Sequence, residues 1–245
     1  MKRIITALSI LFFGIAATAQ KMEIKGLGSF KSTWLFNKSV SDKGDDQDYS
    51  PAWGWNYGVG YAFYINDHIG FEMDLLLSTH KGGYSGMFDS SGTARTYESH
   101  TTINTIDLPI LFKFRSETGA FFELGAQYSV VQEANFFYTG YKSNSLSVNH
   151  DVTADYASSN FSAVMGFGIR IGFGKHIGMI TGMRFEYGLS DFKGVDGIGA
   201  AFNNPFYYKE YNGTSNAAAG LFLGLSFGLG GDKDDTGGSQ TPATN

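Results

Sequence analysis

The chain has 245 residues, a formal net charge of −5 and no cysteine, with 33 glycines, four prolines and 16% aromatic residues. The acidic balance disfavours nucleic-acid binding, which depends on neutralising phosphates with cations. The lack of cysteine excludes a small secreted module held together by disulfides. Many glycines and aromatics with few prolines favour extended β structure over helices or a Pro-rich linker.

Residues 1–19 have the features of a secretory signal peptide. Two cations precede an apolar run from residue 4 to about residue 16, which is followed by the small-residue step Ala17-Thr18-Ala19. We predict cleavage before Gln20, because the apolar run is shorter than the roughly 20 residues of a membrane-spanning anchor. The mature chain is therefore expected to leave the cytoplasm.

Alternation of apolar and polar or small residues predicts eight strands, since successive side chains of a strand point to opposite faces. An ordinary globular strand has about 5 to 6 residues, whereas a tilted strand that crosses a bilayer needs about 9 to 11. The predicted strands have at least the second length, and they span roughly residues 22–36, 53–65, 69–80, 102–115, 120–132, 160–173, 177–189 and 217–229. This favours an all-β, eight-stranded antiparallel transmembrane barrel over a soluble sandwich.

The connections between these strands alternate in length. Three are tight turns and four are long and polar, which is typical of up-and-down outer-membrane barrels with short periplasmic turns and long extracellular loops. The tight turns are 66–68, 116–119 and 174–176, and the long loops are 37–52, 81–101, 133–159 and 190–216. We assign residues 20–229 to the barrel and predict a disordered polar tail over 230–245.

One face of the predicted strands is apolar, and the other combines glycine with polar and charged residues. Inside an eight-stranded barrel glycines make room for large neighbours, because the lumen is only wide enough for side chains to fill it. We therefore place the apolar face toward lipid and predict an enclosed network of charges in the lumen, formed by Glu72, Asp74, Asp107, Lys113, Glu123, Arg170, Arg184 and Glu186, together with Glu23, Lys25 and Lys31.

Three stretches resemble a known family, namely INTIDLPILFKFR, FFELGAQYSVV and GFGIRIGFGKHIGMITGMRFEYGLSDF. They are similar to the PorT-type outer-membrane β-barrel domain proteins that are common in Bacteroidota, and the resemblance covers about residues 22–229. It implies an eight-stranded barrel in the outer membrane of a Gram-negative bacterium. Some family members are linked to secretion, but the resemblance implies no particular biochemical activity.

No motif for catalysis, cofactor binding or metal binding is present in the sequence. No two histidines have metal-ligand spacing, and the acidic run 42–48 lacks the spacing of an EF-hand loop, so a solvated loop is favoured over a calcium site. A hydrolytic set is conceivable from His80 or His100 with Ser78, Glu98 or Ser99. Solvated loop residues are the favoured interpretation, so we predict neither an enzyme nor a cofactor.

Aromatic residues are concentrated in two of the predicted extracellular loops, and such clusters are enriched in binding surfaces. One interpretation is a candidate binding surface of Phe136, Phe137, Tyr138, Tyr141, Phe202, Phe206, Tyr207, Tyr208 and Tyr211, and the alternative is that these aromatics only extend the strands above the bilayer. The leading hypothesis is a non-enzymatic structural or interaction component that contacts outer-membrane lipid and a protein partner through its loops. The alternatives are a narrow pore for ions or small solutes and a lipid-modifying barrel enzyme.

Overall fold

The computed structural model describes residues 21–42, 44–90, 92–139, 147–173, 176–193 and 212–229. The predicted signal peptide and the predicted C-terminal tail lie outside these ranges. The strands are β1 (Lys21–Asn37), β2 (Asp48–Ser50), β3 (Trp53–Tyr64), β4 (Ile69–Ser90), β5 (Thr93–Arg115), β6 (Ala120–Thr139), β7 (Ser147–Asp151), β8 (Ser159–Gly172), β9 (Ile177–Gly188) and β10 (Thr214–Leu229). A short helix, α1 (Lys38–Ser41), follows β1.

Eight of these strands form a closed antiparallel sheet. The order is β1, β3, β4, β5, β6, β8, β9 and β10, and β10 pairs back onto β1 with Ile24 opposite Phe227. The short strands β2 and β7 lie outside this circle and pair with β4 and β6. This confirms the predicted eight-stranded up-and-down barrel.

The outer surface of the barrel carries a belt of exposed apolar side chains. Trp53 and Trp55 lie toward the long-loop end and Ile177 and Phe173 toward the short-turn end, all with 44% or more of their surface exposed. Aromatic rings stack along the belt, as between Phe30 and Trp53, whose centroids are 5.2 Å apart. Within the described ranges, no helix is long and apolar enough to span a bilayer.

Two of the predicted long loops are wrong in large part, because strands continue through them. β4 and β5 stay paired to Ser90 and Thr93, and β6 continues to Thr139, where it also pairs with β7. From His80 to Ser90 alone β4 rises by about 33 Å, at about 3.3 Å per residue. We call β2, β7 and the extensions of β4, β5 and β6 beyond the apolar belt the projecting sheet.

Alternation did not predict these extensions, because their apolar side chains point inward, whereas those of the belt point outward. In the belt the apolar side chains of β5, such as Ile110, point outward, whereas Tyr97 and Ile103 further along the strand are buried inside. On β6 a bulge opposite Asn104 and Thr105 shifts the register from Val131 to Glu133, and an extra residue reverses which positions face inward. The strands therefore keep their pairing while their apolar face changes sides.

Inner-face glycines allow close packing of the barrel wall. A Cβ atom added to Gly125 would lie 2.9 Å from both the carbonyl carbon of Ile110 and Cα of Leu111. These are backbone atoms of the neighbouring strand, so they cannot move aside as a flexible side chain would. By contrast, no heavy atom lies within 4 Å of a Cβ added to Gly26, which is exposed on the outer surface.

We expect Gly125→Ala to lower the free energy of unfolding by about 1 to 3 kcal/mol, because it overpacks a site bounded by backbone. The matched variant Gly26→Ala should change it by no more than about 0.5 kcal/mol. Denaturant unfolding of the protein refolded in lipid vesicles measures both. Equal effects of the two substitutions would contradict this account of the inner glycines.

Candidate functional site

Arg184 on β9 is the centre of the buried charge network. Its Nε donates to Glu123 Oε1 at 2.8 Å and its Nη1 to Asp74 Oδ2 at 3.1 Å, and Nη2 lies 3.7 Å from Glu72 Oε1. The guanidinium carbon also lies 5.3 Å from the ring centroid of Phe222. Three carboxylates from β4 and β6 thus converge on one planar cation, whose several N–H donors suit this arrangement.

Two lysines balance the carboxylates around Arg184. Lys113 Nζ lies 2.7 Å from Glu72 Oε2 and 3.5 Å from Glu123 Oε2, and Lys25 pairs with the same Glu72 oxygen. The ammonium of Lys113 also lies 3.9 Å from the ring centroid of Phe121. Because Lys25, Glu72 and Glu123 are each at most 1% exposed, losing any one partner would leave a charge far from water.

A smaller cluster lies at the short-turn end of the lumen. Glu23 Oε1 is 3.0 Å from Arg115 Nη1 and 3.2 Å from Arg170 Nε. Arg115 also lies over the ring of Tyr64, at 4.2 Å from its centroid, and Arg170 Nε donates to Ser226 Oγ at 3.2 Å. This cluster forms a polar floor at the end of the barrel that carries both described chain ends.

Two further pairs lie toward the long-loop end. Lys31 Nζ donates to both oxygens of Glu186 at 3.0 Å, joining β1 to β9. On the other wall, His80 Nε2 is 3.5 Å from Asp107 Oδ2, between β4 and β5. All four side chains are buried.

The predicted lumen charges therefore divide among two clusters and two separate pairs. Glu72, Asp74, Lys113, Glu123 and Arg184 meet at the centre, Arg170 joins the floor, and Glu186 and Asp107 form separate pairs. Sequence reasoning missed Arg115 and His80, although each continues the inward alternation of Lys113 and Ser78. With Arg115 included, six lysines and arginines face six carboxylates among the described lumen residues, so these twelve side chains are charge-balanced.

An apolar cluster fills the lumen beyond these pairs, where the barrel meets the projecting sheet. We call it the plug, and its members are Leu35, Val40, Tyr84, Ile103, Ala134, Phe136, Val152, Tyr156 and Phe192. Val40 comes from α1, and Tyr156 follows the turn after β7, so segments outside the barrel circle complete the closure. Burial raises the pKa of Tyr156 to about 12, which leaves its hydroxyl neutral at physiological pH.

The conceivable hydrolytic set does not assemble. His80 and Ser78 are buried in the lumen, which corrects the placement of His80 among solvated loop residues. His100 and Glu98 are exposed on the outer face of β5, while Ser99 points inward. A nucleophile and its base must lie within hydrogen-bond reach. His100 and Glu98 lie on the opposite side of the sheet from His80, Ser78 and Ser99, and neither serine hydroxyl forms a hydrogen bond to His80.

The predicted aromatic binding surface is only partly described. Phe136 is completely buried in the plug, so it does not belong to an exposed surface, because the bulge on β6 turns it inward. Phe137 points outward and stacks on His100 with centroids 4.8 Å apart. The side chain of Tyr138 lies outside the described part of the structure, as do Tyr141, Phe202, Phe206, Tyr207, Tyr208 and Tyr211. Within the described residues, no three His, Cys, Asp or Glu side chains are grouped so that they could hold a metal ion.

We expect Arg184→Met to lower the free energy of unfolding by about 3 to 5 kcal/mol, because it leaves three buried carboxylates without their shared partner. Lys38→Met, at an exposed lysine of α1, is the control and should change stability by no more than about 0.5 kcal/mol. Denaturant unfolding in lipid vesicles measures both variants. Glu123→Gln should cost less in the Arg184→Met background than in the wild type, and additive effects would contradict the proposed coupling.

Solved structures with similar folds include three outer-membrane proteins. Ail, the attachment invasion locus protein of Yersinia pestis, solved in complex with the heparin analogue sucrose octasulfate, is 13% identical over 85% of this chain and 99% of its own, with a TM-score of 0.38. OprG from Pseudomonas aeruginosa is 9% identical over 87% and 98%, with a TM-score of 0.42. The outer membrane protease OmpT from Escherichia coli is 9% identical over 86% and 98%, with a TM-score of 0.38.

No curated protein sequence matches this chain. Residues 18–194, however, match the family described as outer membrane protein beta-barrel domain. The match covers seven of the eight barrel strands, up to the end of β9. The chain therefore belongs to the family of outer membrane proteins with a β-barrel domain.

Proposed function

We propose that this protein is a non-conducting, non-enzymatic outer-membrane barrel that acts through its projecting sheet. The observation that carries this proposal is the filled lumen. Ion-paired side chains bridge opposite walls, as Arg184 does between β9 and β4, and the plug closes the long-loop end. A conducting path would have to disrupt both.

The projecting sheet offers the surface for an interaction. Its strands extend beyond the apolar belt, and the outer face of β5 there presents Thr96, Glu98 and His100 to solvent. The inner face of these strands supplies Tyr84, Ile103 and Phe136 to the plug, and all three side chains are buried. A rigid polar surface outside the lipid belt suits a water-soluble protein partner better than lipid, while the belt itself suits contact with outer-membrane lipid.

Finer assignments belong to the same proposal. The PorT-type sequence pattern supports placing the protein in a Bacteroidota outer membrane, and the charged, apolar and small-residue segments of 1–19 support export by a cleaved signal peptide. N-terminal sequencing of the protein from native membranes tests the second assignment, since a mature chain that begins at Gln20 is expected. A membrane-bound chain whose N-terminus is still residue 1 would overturn the assignment of a cleaved signal peptide.

We expect the refolded wild-type protein to produce no steady single-channel current in a planar bilayer. The reason is that ions would have to cross a lumen in which cations and carboxylates are already paired and then pass the plug. A porin reconstituted in the same way provides the positive control. A reproducible unitary current from the wild type would favour the narrow-pore alternative.

We expect the double variant Glu98→Ala/His100→Ala to lose crosslinks to a partner that the wild type forms in intact outer membranes. Glu117→Ala is the matched control, because Glu117 is also exposed but lies in a short turn at the opposite end of the barrel. Crosslinking followed by mass spectrometry gives the measurement. Identical crosslinks in both variants would argue against the projecting sheet, and deletion of 202–211 then tests the remaining aromatic loop.

A further inference from the structure

A polar section of the lumen lies between the plug and the Arg184 cluster. Along β4 the inward residues after Leu76 are Ser78 and His80, and along β5 they are Asp107 and Thr105 before Ile103 of the plug. Gln127 on β6 continues this wall. We call these five side chains, Ser78, His80, Thr105, Asp107 and Gln127, the polar layer, and each is at most 3% exposed.

Several atoms of the polar layer lack protein partners. Within the described residues, Thr105 Oγ1, Gln127 Oε1 and His80 Nδ1 are buried without a hydrogen-bond partner, and the Asp107 carboxylate meets no donor at good hydrogen-bond geometry, although His80 and Ser78 lie near it. His80 Nε2 is 3.5 Å from Asp107 Oδ2, which is longer than an ordinary hydrogen bond. Buried polar groups in proteins are almost always satisfied by protein or by ordered water.

These atoms of the polar layer lie on the neighbouring strands β4, β5 and β6. Thr105 is opposite Ser78 and Asp107 is opposite Leu76 in the pairing of β4 with β5, so Thr105 and Asp107 are successive inward positions. A buried donor or acceptor left without a partner costs more free energy than an ordinary hydrogen bond gains. Several such groups on one wall point to a shared partner that is small and can both donate and accept.

The lumen also contains a small cavity near this wall, although none of the five polar-layer residues lines it. A cavity of ≈ 10 Å³ lies beside the Lys31–Glu186 pair and is lined by Asn56 as well as by Leu27 and Leu76. This is close to the volume at which a site can hold one water molecule, and water needs two to four polar partners. Leu76 lines this cavity and is opposite Asp107 in the pairing of β4 with β5.

We propose that the polar layer binds ordered water molecules that complete the hydrogen bonds of Thr105, Asp107, Gln127 and His80. The Asp107 carboxylate provides the acceptors with the greatest need for a donor, because a charged group is the most costly to leave unsolvated. Thr105 and Gln127 supply the neighbouring acceptors, and the plug separates the water from the exterior. The lumen in this region is therefore hydrated and closed, instead of dry or open.

Replacement of threonine by valine tests the proposal, because the two side chains have nearly the same shape. If Thr105 Oγ1 is bonded to water, Thr105→Val loses that bond and raises the unfolding equilibrium constant about three- to tenfold. If the hydroxyl is dry, the same substitution removes an unpaired buried group and lowers the constant. An unchanged or lower constant would overturn the proposal.

Thr33→Val is the matched control. Thr33 is as buried as Thr105, but its hydroxyl donates to Lys81 O at 2.7 Å and accepts from Lys81 N at 2.9 Å. We expect this variant to raise the unfolding equilibrium constant whether or not the polar layer is hydrated. It therefore shows that the assay detects the loss of one buried hydrogen bond in this barrel.

A measurement on the wild-type protein avoids dependence on variants that fail to refold. In lipid nanodiscs, nuclear Overhauser contacts between long-lived water and the Thr105 methyl group are expected, whereas the Thr33 methyl group should show none. Absence of the contact at Thr105, with the other lumen methyl signals assigned, would overturn the proposal. Neither outcome depends on whether the projecting sheet has a partner.

Discussion

The hydrocarbon of the bilayer leaves no backbone hydrogen-bonding group free, and this requirement governs the rest of the structure. The barrel meets it by closing β10 on β1, with a continuous register from Met22 opposite Leu229 to Asn37 opposite Thr214. Closure encloses one face of every strand. The inner polar side chains must then find their partners within the lumen, so the paired charges there follow from the apolar surroundings outside.

The pairing of charges across strands depends on glycines between them. In the register of β6, β8 and β9, Glu123 is opposite Gly166, and Gly166 is opposite Arg184. A Cβ at Gly166 would lie 2.6 Å from Glu123 Oε1, so the missing side chain lets the carboxylate reach Arg184 over the middle strand. Lys25, Gly60 and Asp74 repeat this order across β1, β3 and β4. Glycine content and buried charge are therefore two parts of one arrangement.

Much of this could be predicted from the sequence, because within the membrane every strand obeys one period. The strand ends at the short turns and the inward direction of Arg184 and Glu186 follow from alternation alone. The ion-pair partners cannot be predicted from alternation, because Glu72 and Arg184 are far apart in the chain and meet only through the curvature of the barrel. Beyond the membrane the prediction fails, as for Phe136, because water on the outer face and the bulge on β6 remove the pattern that marks a strand.

The level at which apolar side chains change from the outer to the inner face also marks the edge of the membrane-spanning part of the barrel. On β5 the outward side chains change from Ile106 and Leu108 to Asn104, whose amide contacts Glu133, while the inward ones change from Asp107 to Ile103. At the level where lipid gives way to water, apolar side chains no longer lie on the outer face. Only burial inside the barrel removes them from water there, so only the inner position lowers their free energy. The plug and the projecting sheet thus form a water-stable core at the mouth of the barrel, held by the ordinary hydrophobic effect, while the membrane-embedded part relies on paired charges. Each long strand is therefore stabilised by paired charges in its membrane-embedded half and by apolar packing in its projecting half. The surface presented beyond the membrane belongs to the projecting half, which does not depend on lipid.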